Sequence, residues 1–153
     1  MTFVEKYSAP DYIVSDDNRK LIVMADKGEQ REYIGVNTMR QRMVVYRVDD
    51  GIVTSKEQNK CDFAFWTERN DVYLIELKGG DYSKDLQQIQ KSIEDLIDRA
   101  NVDVNKVLAR IVLSTGRSVR ANVANTHEVK LIKFLRKFEG TLMKQSGRIK
   151  ENI

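Results

Sequence analysis

Residues 61–80 read CDFAFWTERNDVYLIELKGG, from Cys61 to Gly80. Two β-rich runs, Cys61–Trp66 and Val72–Lys78, flank the polar stretch Thr67–Asp71. β-Branched and aromatic residues crowd both runs, so each is predicted to be a strand and the pair a hairpin. Side chains alternate between the two faces of a strand. Tyr73, Ile75 and Leu77 therefore share one face, and Val72, Leu74, Glu76 and Lys78 the other. Asp62 is embedded in the apolar partner strand. A connecting loop of three residues (68–70) or five (67–71) sets Asp62 directly opposite Glu76. A loop of two or four sets it opposite Leu77, on the wrong face. Three-residue loops with a left-handed third residue are common, and Asn70 tolerates that conformation.

Downstream, Gly79-Gly80 breaks the strand and the period changes. Leu86, Ile89, Ile93, Leu96, Ile97 and Ala100 recur at steps of three and four, which predicts an amphipathic helix over 83–100 with Ser83 as N-cap. Lys106–Ser114 has the continuous apolar character of a strand buried on both faces. After a polar loop at 115–125, Val129, Ile132, Leu135 and Phe138 mark a second helix over 126–139. A short strand is expected at Thr141–Lys144. Upstream, Lys20–Ala25 and Arg42–Val48 read as strands, with a tight turn at Asp49-Asp50-Gly51 and a return strand from Ile52 to Thr54. Residues 1–19 read mostly as loop, and 26–42 carry no clear period. The expected fold class is therefore α/β, a mixed central β-sheet flanked by helices, with the strand–helix–strand unit 72–114 supplying a parallel pair.

A length of 153 residues predicts one domain spanning residues 1–153, with the first ~20 and last ~12 residues as candidate extensions. Hydrophobic residues make up 41% and charged residues 32%, enough for a core and a well-solvated surface. No run is apolar enough for a membrane span, and the segment Met1–Pro10 lacks the apolar core of a signal peptide. The single Cys61 leaves no internal disulfide and fits a reducing cytoplasm. With one histidine, His127, and one cysteine, a four-ligand zinc site is effectively excluded, and a Ser-His-Asp or Cys-His enzyme would have to use His127, which sits in a Lys-rich segment with no nucleophile motif nearby. No nucleotide-binding glycine motif occurs. Carboxylate and lysine chemistry with a hard metal remains.

The charge is uneven. Residues 1–103 carry 15 Lys+Arg against 20 Asp+Glu, whereas 104–153 carry 11 against 3. A basic C-terminal third on a mildly acidic body suits a polyanion, nucleic acid first, although a basic solvated surface has the same composition. The candidate phosphate contacts are Arg117, Arg120, Lys130, Lys133, Arg136 and Lys137, with Lys144, Arg148 and Lys150 in the same segment.

Two carboxylates facing each other on adjacent strands repel unless a divalent cation lies between them. Mg²⁺ takes one or two protein carboxylates and completes its shell with water and phosphate oxygens. A lysine alongside, Lys78, is placed to orient or deprotonate an attacking water or to stabilise charge on a phosphate. Asp62, thirteen further residues, then Glu76-Leu77-Lys78 resembles the D…(D/E)-x-K signature of the PD-(D/E)XK nuclease superfamily, whose members include restriction endonucleases and Holliday-junction resolvases. The resemblance covers roughly residues 43–114. "RVDDG", "KCDFAF" and "IELKGGD" together resemble small bacterial or phage members.

The resemblance implies a restriction-endonuclease-like core, with Asp62 and Glu76 as ligands of Mg²⁺ or Mn²⁺ and Lys78 serving the water. It also implies a glutamine on the following helix, for which Gln88 fits, with Gln87 and Gln90 as alternatives. Cys61 stands where the family has proline, and Ser92 where an aromatic is often found. For an additional upstream acid, Glu32, Asp50 and Glu57 are the options. The expected function is metal-dependent hydrolysis of nucleic-acid phosphodiesters, DNA before RNA. The rival readings are an inactive nuclease-fold module that binds nucleic acid or a protein, and a small phage or mobile-element protein acting by protein contact. A homodimer is one option for its assembly.

Overall fold

Apolar runs at the centre of the chain become the centre of a sheet. In a computed structural model, which describes residues 1–25, 30–55, 60–79, 81–114 and 126–153 (for Lys78 and Gly79 the backbone alone), strands β1 (Ile13–Asp17), β4 (Met43–Arg47), β5 (Phe63–Thr67), β6 (Asp71–Gly79), β7 (Lys106–Leu113) and β8 (Leu142–Ser146) form one mixed sheet in the order β1-β4-β5-β6-β7-β8. β1, β4, β5 and β6 pair antiparallel; β6–β7 and β7–β8 are parallel. The parallel pairs follow from their crossovers, since α2 (Tyr82–Ile93) links β6 to β7 and α3 (Thr126–Leu135) lies between β7 and β8. The chain is thus an α/β protein with a mixed central sheet. Among the described residues no helix is long and apolar enough to cross a membrane.

The two faces of this sheet have different covers. Val44, Ala64, Trp66, Leu74, Ala109 and Ile111 pack with Leu86, Ile89 and Ile93 of α2 and with Leu131 and Leu135 of α3. Met43, Val45, Phe65, Ile75, Leu77 and Val112 instead pack with Ile22, Met24, Tyr33 and Ile149. Those four come from a second, three-stranded sheet of β2 (Leu21–Ala25), β3 (Glu32–Val36) and β9 (Arg148–Asn152), in the order β2-β3-β9. One core is helix on sheet, the other sheet on sheet. Arg110 of β7 ties the sheets: its Nε donates to Glu151 Oε1 at 2.7 Å, and the same oxygen accepts from Tyr33 Oη at 2.7 Å.

Several elements differ from the sequence reading. Within residues 1–19 stand α1 (Phe3–Lys6), a 3₁₀ turn at Pro10–Tyr12 and β1. Thr2 and Glu5 cap α1 reciprocally, Thr2 N donating to Glu5 Oε2 at 2.6 Å and Glu5 N to Thr2 Oγ1 at 3.4 Å. β3 occupies part of 26–42, and β9 follows β8 with a single inward residue, Ile149, too weak a pattern to read as a strand. The return from Gly51 shrinks to one bridge between Asp49 and Val53. Asp81, not Ser83, caps α2, accepting from Lys84 N at 3.3 Å, because the strand ends at Gly79 and leaves Asp81 extended. The long helix predicted to residue 100 ends in a π-helical turn, Glu94–Asp98.

Candidate functional site

The hairpin loop sets the site. β5 ends at Thr67 and β6 begins at Asp71, leaving residues 68–70, with Asn70 left-handed at φ 64°. Asn70 Oδ1 accepts from Trp66 Nε1 at 2.8 Å, and its Nδ2 donates to the Asp103 carbonyl at 2.8 Å, so the loop is held from both sides. The ladder runs Trp66↔Val72, Phe65↔Tyr73, Ala64↔Leu74 and Phe63↔Ile75. Asp62 lies just before the first paired residue of β5, Phe63, and Glu76 just after Ile75 on β6. Both are almost fully buried, at 8% and 1% exposure. Asp62 N donates to the Ile75 carbonyl at 3.1 Å, and Asp62 Oδ2 accepts from Leu77 N at 2.8 Å. The alternation that sends Phe65 and Ile75 toward the small sheet sends Glu76 to the helix-covered face, near the carboxyl end of β6. In open α/β sheets ligands are bound at the carboxyl ends of parallel strands.

Lys78 lies in β6, but strict alternation stops just before it. β6 pairs with β7 as Glu76↔Ile111 and then Gly79↔Leu113, so one extra residue is accommodated between Glu76 and Gly79. Such a bulge re-aims the side chains it contains and is common beside active sites. The side chain of Lys78 lies outside the described atoms.

Cys61 is completely buried, and burial pushes its thiol well above the ordinary range, with the charges of Glu76 and Asp62 adding to the effect while a hydrogen bond with Ser92 opposes it. A thiol held protonated is no nucleophile. Gln88 on α2 is half-buried, and its side chain makes no hydrogen bond among the described residues, whereas Gln87 Nε2 donates to the Ser83 carbonyl at 3.2 Å and Gln90 Nε2 to Glu94 Oε1 at 3.2 Å. Of the three glutamines, Gln88 alone is not engaged within its own helix.

The basic residues divide. Arg117 and Arg120 lie outside the described residues. Lys130, Lys133, Arg136 and Lys137 are all exposed along α3 and the 3₁₀ turn Arg136–Phe138, opposite the buried Leu131 and Leu135. Lys144, in register with Ile111 and hence on the helix face, is engaged elsewhere: its Nζ meets Glu128 Oε1 at 2.5 Å and lies 5.0 Å from the Tyr82 ring centroid. Tyr82 Oη donates to the same Glu128 oxygen at 3.0 Å, which joins the first turns of α2 and α3 beside the end of β6. Arg148 pairs with Glu32. That pairing sets Glu32 apart from Asp62, Asp50 sits exposed in its turn, and Glu57 is outside the described residues.

The sequence reading missed three polar groups. Asp85, in the first turn of α2, is 2% exposed. Lys60 is 3% exposed and ion-paired with Asp95. Ser92 Oγ accepts from Cys61 N at 3.0 Å and donates to the Gln88 carbonyl at 2.8 Å. The Lys60–Asp95 and Cys61–Ser92 pairings span too many residues for any periodicity to reveal them.

Among the described residues no group of three or more His, Cys, Asp or Glu side chains forms a metal-binding cluster. Two buried carboxylates on neighbouring strand ends, Asp62 and Glu76, are hard oxygen donors of the number Mg²⁺ or Mn²⁺ draws from proteins. A site of that kind fits; a zinc-type cage does not. No protein-family model, curated protein or solved structure matches the chain. The class defined by the observations is therefore the fold itself, an α/β mixed sheet with one helical cover and one sheet cover.

Proposed function

We propose that this protein is a metal-dependent nuclease of the restriction-endonuclease-like type, hydrolysing phosphodiester bonds of nucleic acid, DNA before RNA. The observation that supports the reading is the burial of two acidic residues on neighbouring strand ends, Asp62 and Glu76, with Asp62 Oδ2 tied to Leu77 N–H at 2.8 Å. Burying two acidic groups is costly, and a divalent cation held by both would offset that cost. Asp62 and Glu76 would hold Mg²⁺ or Mn²⁺, which when bound supplies a Lewis acid for a phosphate oxygen. Lys78 orients the attacking water and offsets negative charge on the phosphate. Gln88 lines the same face from α2. The exposed cations of α3 track the sugar-phosphate backbone, and a single buried cysteine suits work in the cytoplasm.

The second reading, an inactive module that binds nucleic acid or a protein through the same fold, is favoured by the lack of a third acidic ligand among the described residues. One experiment separates the two. Purified protein is incubated with Mg²⁺ or Mn²⁺ and plasmid, linear, branched and single-stranded DNA, and with RNA. Cleavage is expected, reduced roughly 10²-fold or more by Lys78→Ala, by Asp62→Asn and by Glu76→Gln. Lys78→Ala is expected to keep divalent-ion binding that Asp62→Asn weakens. Wild-type protein that binds DNA and metal and cuts nothing identifies the inert module.

A further inference from the structure

Three consecutive residues leading into β5 are fastened to three different neighbours. The Lys60 ammonium pairs with Asp95, in the π-helical turn that follows α2. Cys61 N–H donates to Ser92 Oγ at 3.0 Å on α2 itself. Asp62 is held by Ile75 O and Leu77 N on β6. The Lys60 side chain is only 1% exposed. Charge balance does not explain its burial, because Asp95 also meets the exposed Arg99 at 2.6 Å and the part-exposed Lys91 at 3.5 Å. Stability does not explain it either, since an apolar pair of similar volume usually serves as well as a buried ion pair or better. What an ion pair adds is direction. The π-helical turn, a distortion often found beside functional sites, is where Asp95 sits.

We infer that Lys60 is a positioning residue: its bond to Asp95 clamps residues 60–62 against α2, so that the Asp62 carboxylate stays on Leu77 N–H, next in sequence to Glu76. The inference rests on the proposed metal site for its functional meaning, and on hydrogen bonds alone for its geometry. The pair acts through Asp62 and touches no substrate.

The test is the double variant Lys60→Met with Asp95→Asn, which removes the pair without leaving a buried charge behind, compared with Lys60→Arg, which keeps the cation and its partner. Amide hydrogen exchange at Leu77 needs neither metal nor substrate. In the double variant its protection is expected to fall tenfold or more relative to Phe65 and Tyr73 in the same hairpin, with the melting temperature unchanged or higher. Lys60→Arg is expected to keep the protection. Mn²⁺ titration of the same proteins is expected to show affinity at least tenfold weaker in the double variant and unchanged in Lys60→Arg. Unaltered Leu77 protection in a folded double variant overturns the inference, as does equal loss in both variants. If wild-type protein takes up no Mn²⁺, the metal reading falls, while the Leu77 exchange still decides whether Lys60 positions Asp62.

Discussion

Asn70 sets the register of the hairpin that carries Asp62 and Glu76. At φ 64° it closes a three-residue loop, and its side chain binds Trp66 and Asp103. A loop longer or shorter by one residue would shift that register and turn the side chains of one strand to the other face. Two separate costs follow from replacing it. Alanine loses both hydrogen bonds and also suffers the left-handed backbone, for a loss of about 2–4 kcal/mol. Glycine suffers only the lost hydrogen bonds, about 1–2 kcal/mol. Denaturant unfolding of Asn70→Ala and Asn70→Gly is therefore expected to rank glycine as the milder change. The reverse order would mean that the left-handed conformation costs nothing here. The residue types in this hairpin made its register legible from the sequence: only an odd loop reconciles two apolar faces, and only a residue such as Asn accepts the turn.

At the scale of elements, α3 combines two tasks. Leu131 and Leu135 anchor it to α2 and the sheet, while Lys130, Lys133, Arg136 and Lys137 project into solvent. Exposed cations of this kind contribute little to stability. Their replacement by alanine is expected to leave the unfolding free energy within about 0.5 kcal/mol per site. If they meet a polyanion, the log–log salt dependence of binding falls by about 0.9 per phosphate contact removed on duplex DNA. Titration of duplex DNA between low and moderate salt measures this directly. A slope that does not change in the fourfold variant would locate the polyanion surface elsewhere. α2 differs in kind: its apolar stripe was evident from the spacing of Leu86, Ile89 and Ile93. Its end was not, because the π-helical turn arises where Asp95 and Leu96 meet partners distant in sequence, Lys60 and Tyr7.

For the molecule as a whole, two cores and a set of buried phenols define its response to pH. Tyr7, Tyr33, Tyr46, Tyr73 and Tyr82 are all shifted upward, in each case first by burial; Tyr33 and Tyr82 are shifted further by the carboxylates of Glu151 and Glu128. Tyr7 and Tyr73 are pushed up to about 12. An unfolded phenol ionises near about 10. The stability these groups contribute is therefore complete below about pH 10 and is lost as pH rises through about 12, where the unfolded chain has released protons that the folded chain still holds. Phenolate absorbance is expected to rise in a cooperative step that coincides with loss of the near-UV circular dichroism. A shallow titration centred near pH 10 in protein that stays folded would contradict the burial of these rings.

Local chemistry and pattern were enough to define the central hairpin, the α2 and α3 stripes and the α/β class, because each depends on neighbours within one or two turns or on one short loop. The three-stranded sheet was beyond that reach. β3 and β9 pair in parallel across more than a hundred residues, Tyr33 with Ile149, and neither strand carries an alternation strong enough to announce a partner. The same holds for the burial of Lys60 against Asp95 and of Arg110 against Glu151. A charged residue is normally solvated, and nothing local marks the few that are not. Their burial becomes favourable only once packing brings the opposite charge within reach, so tertiary structure alone decides which charges the core retains.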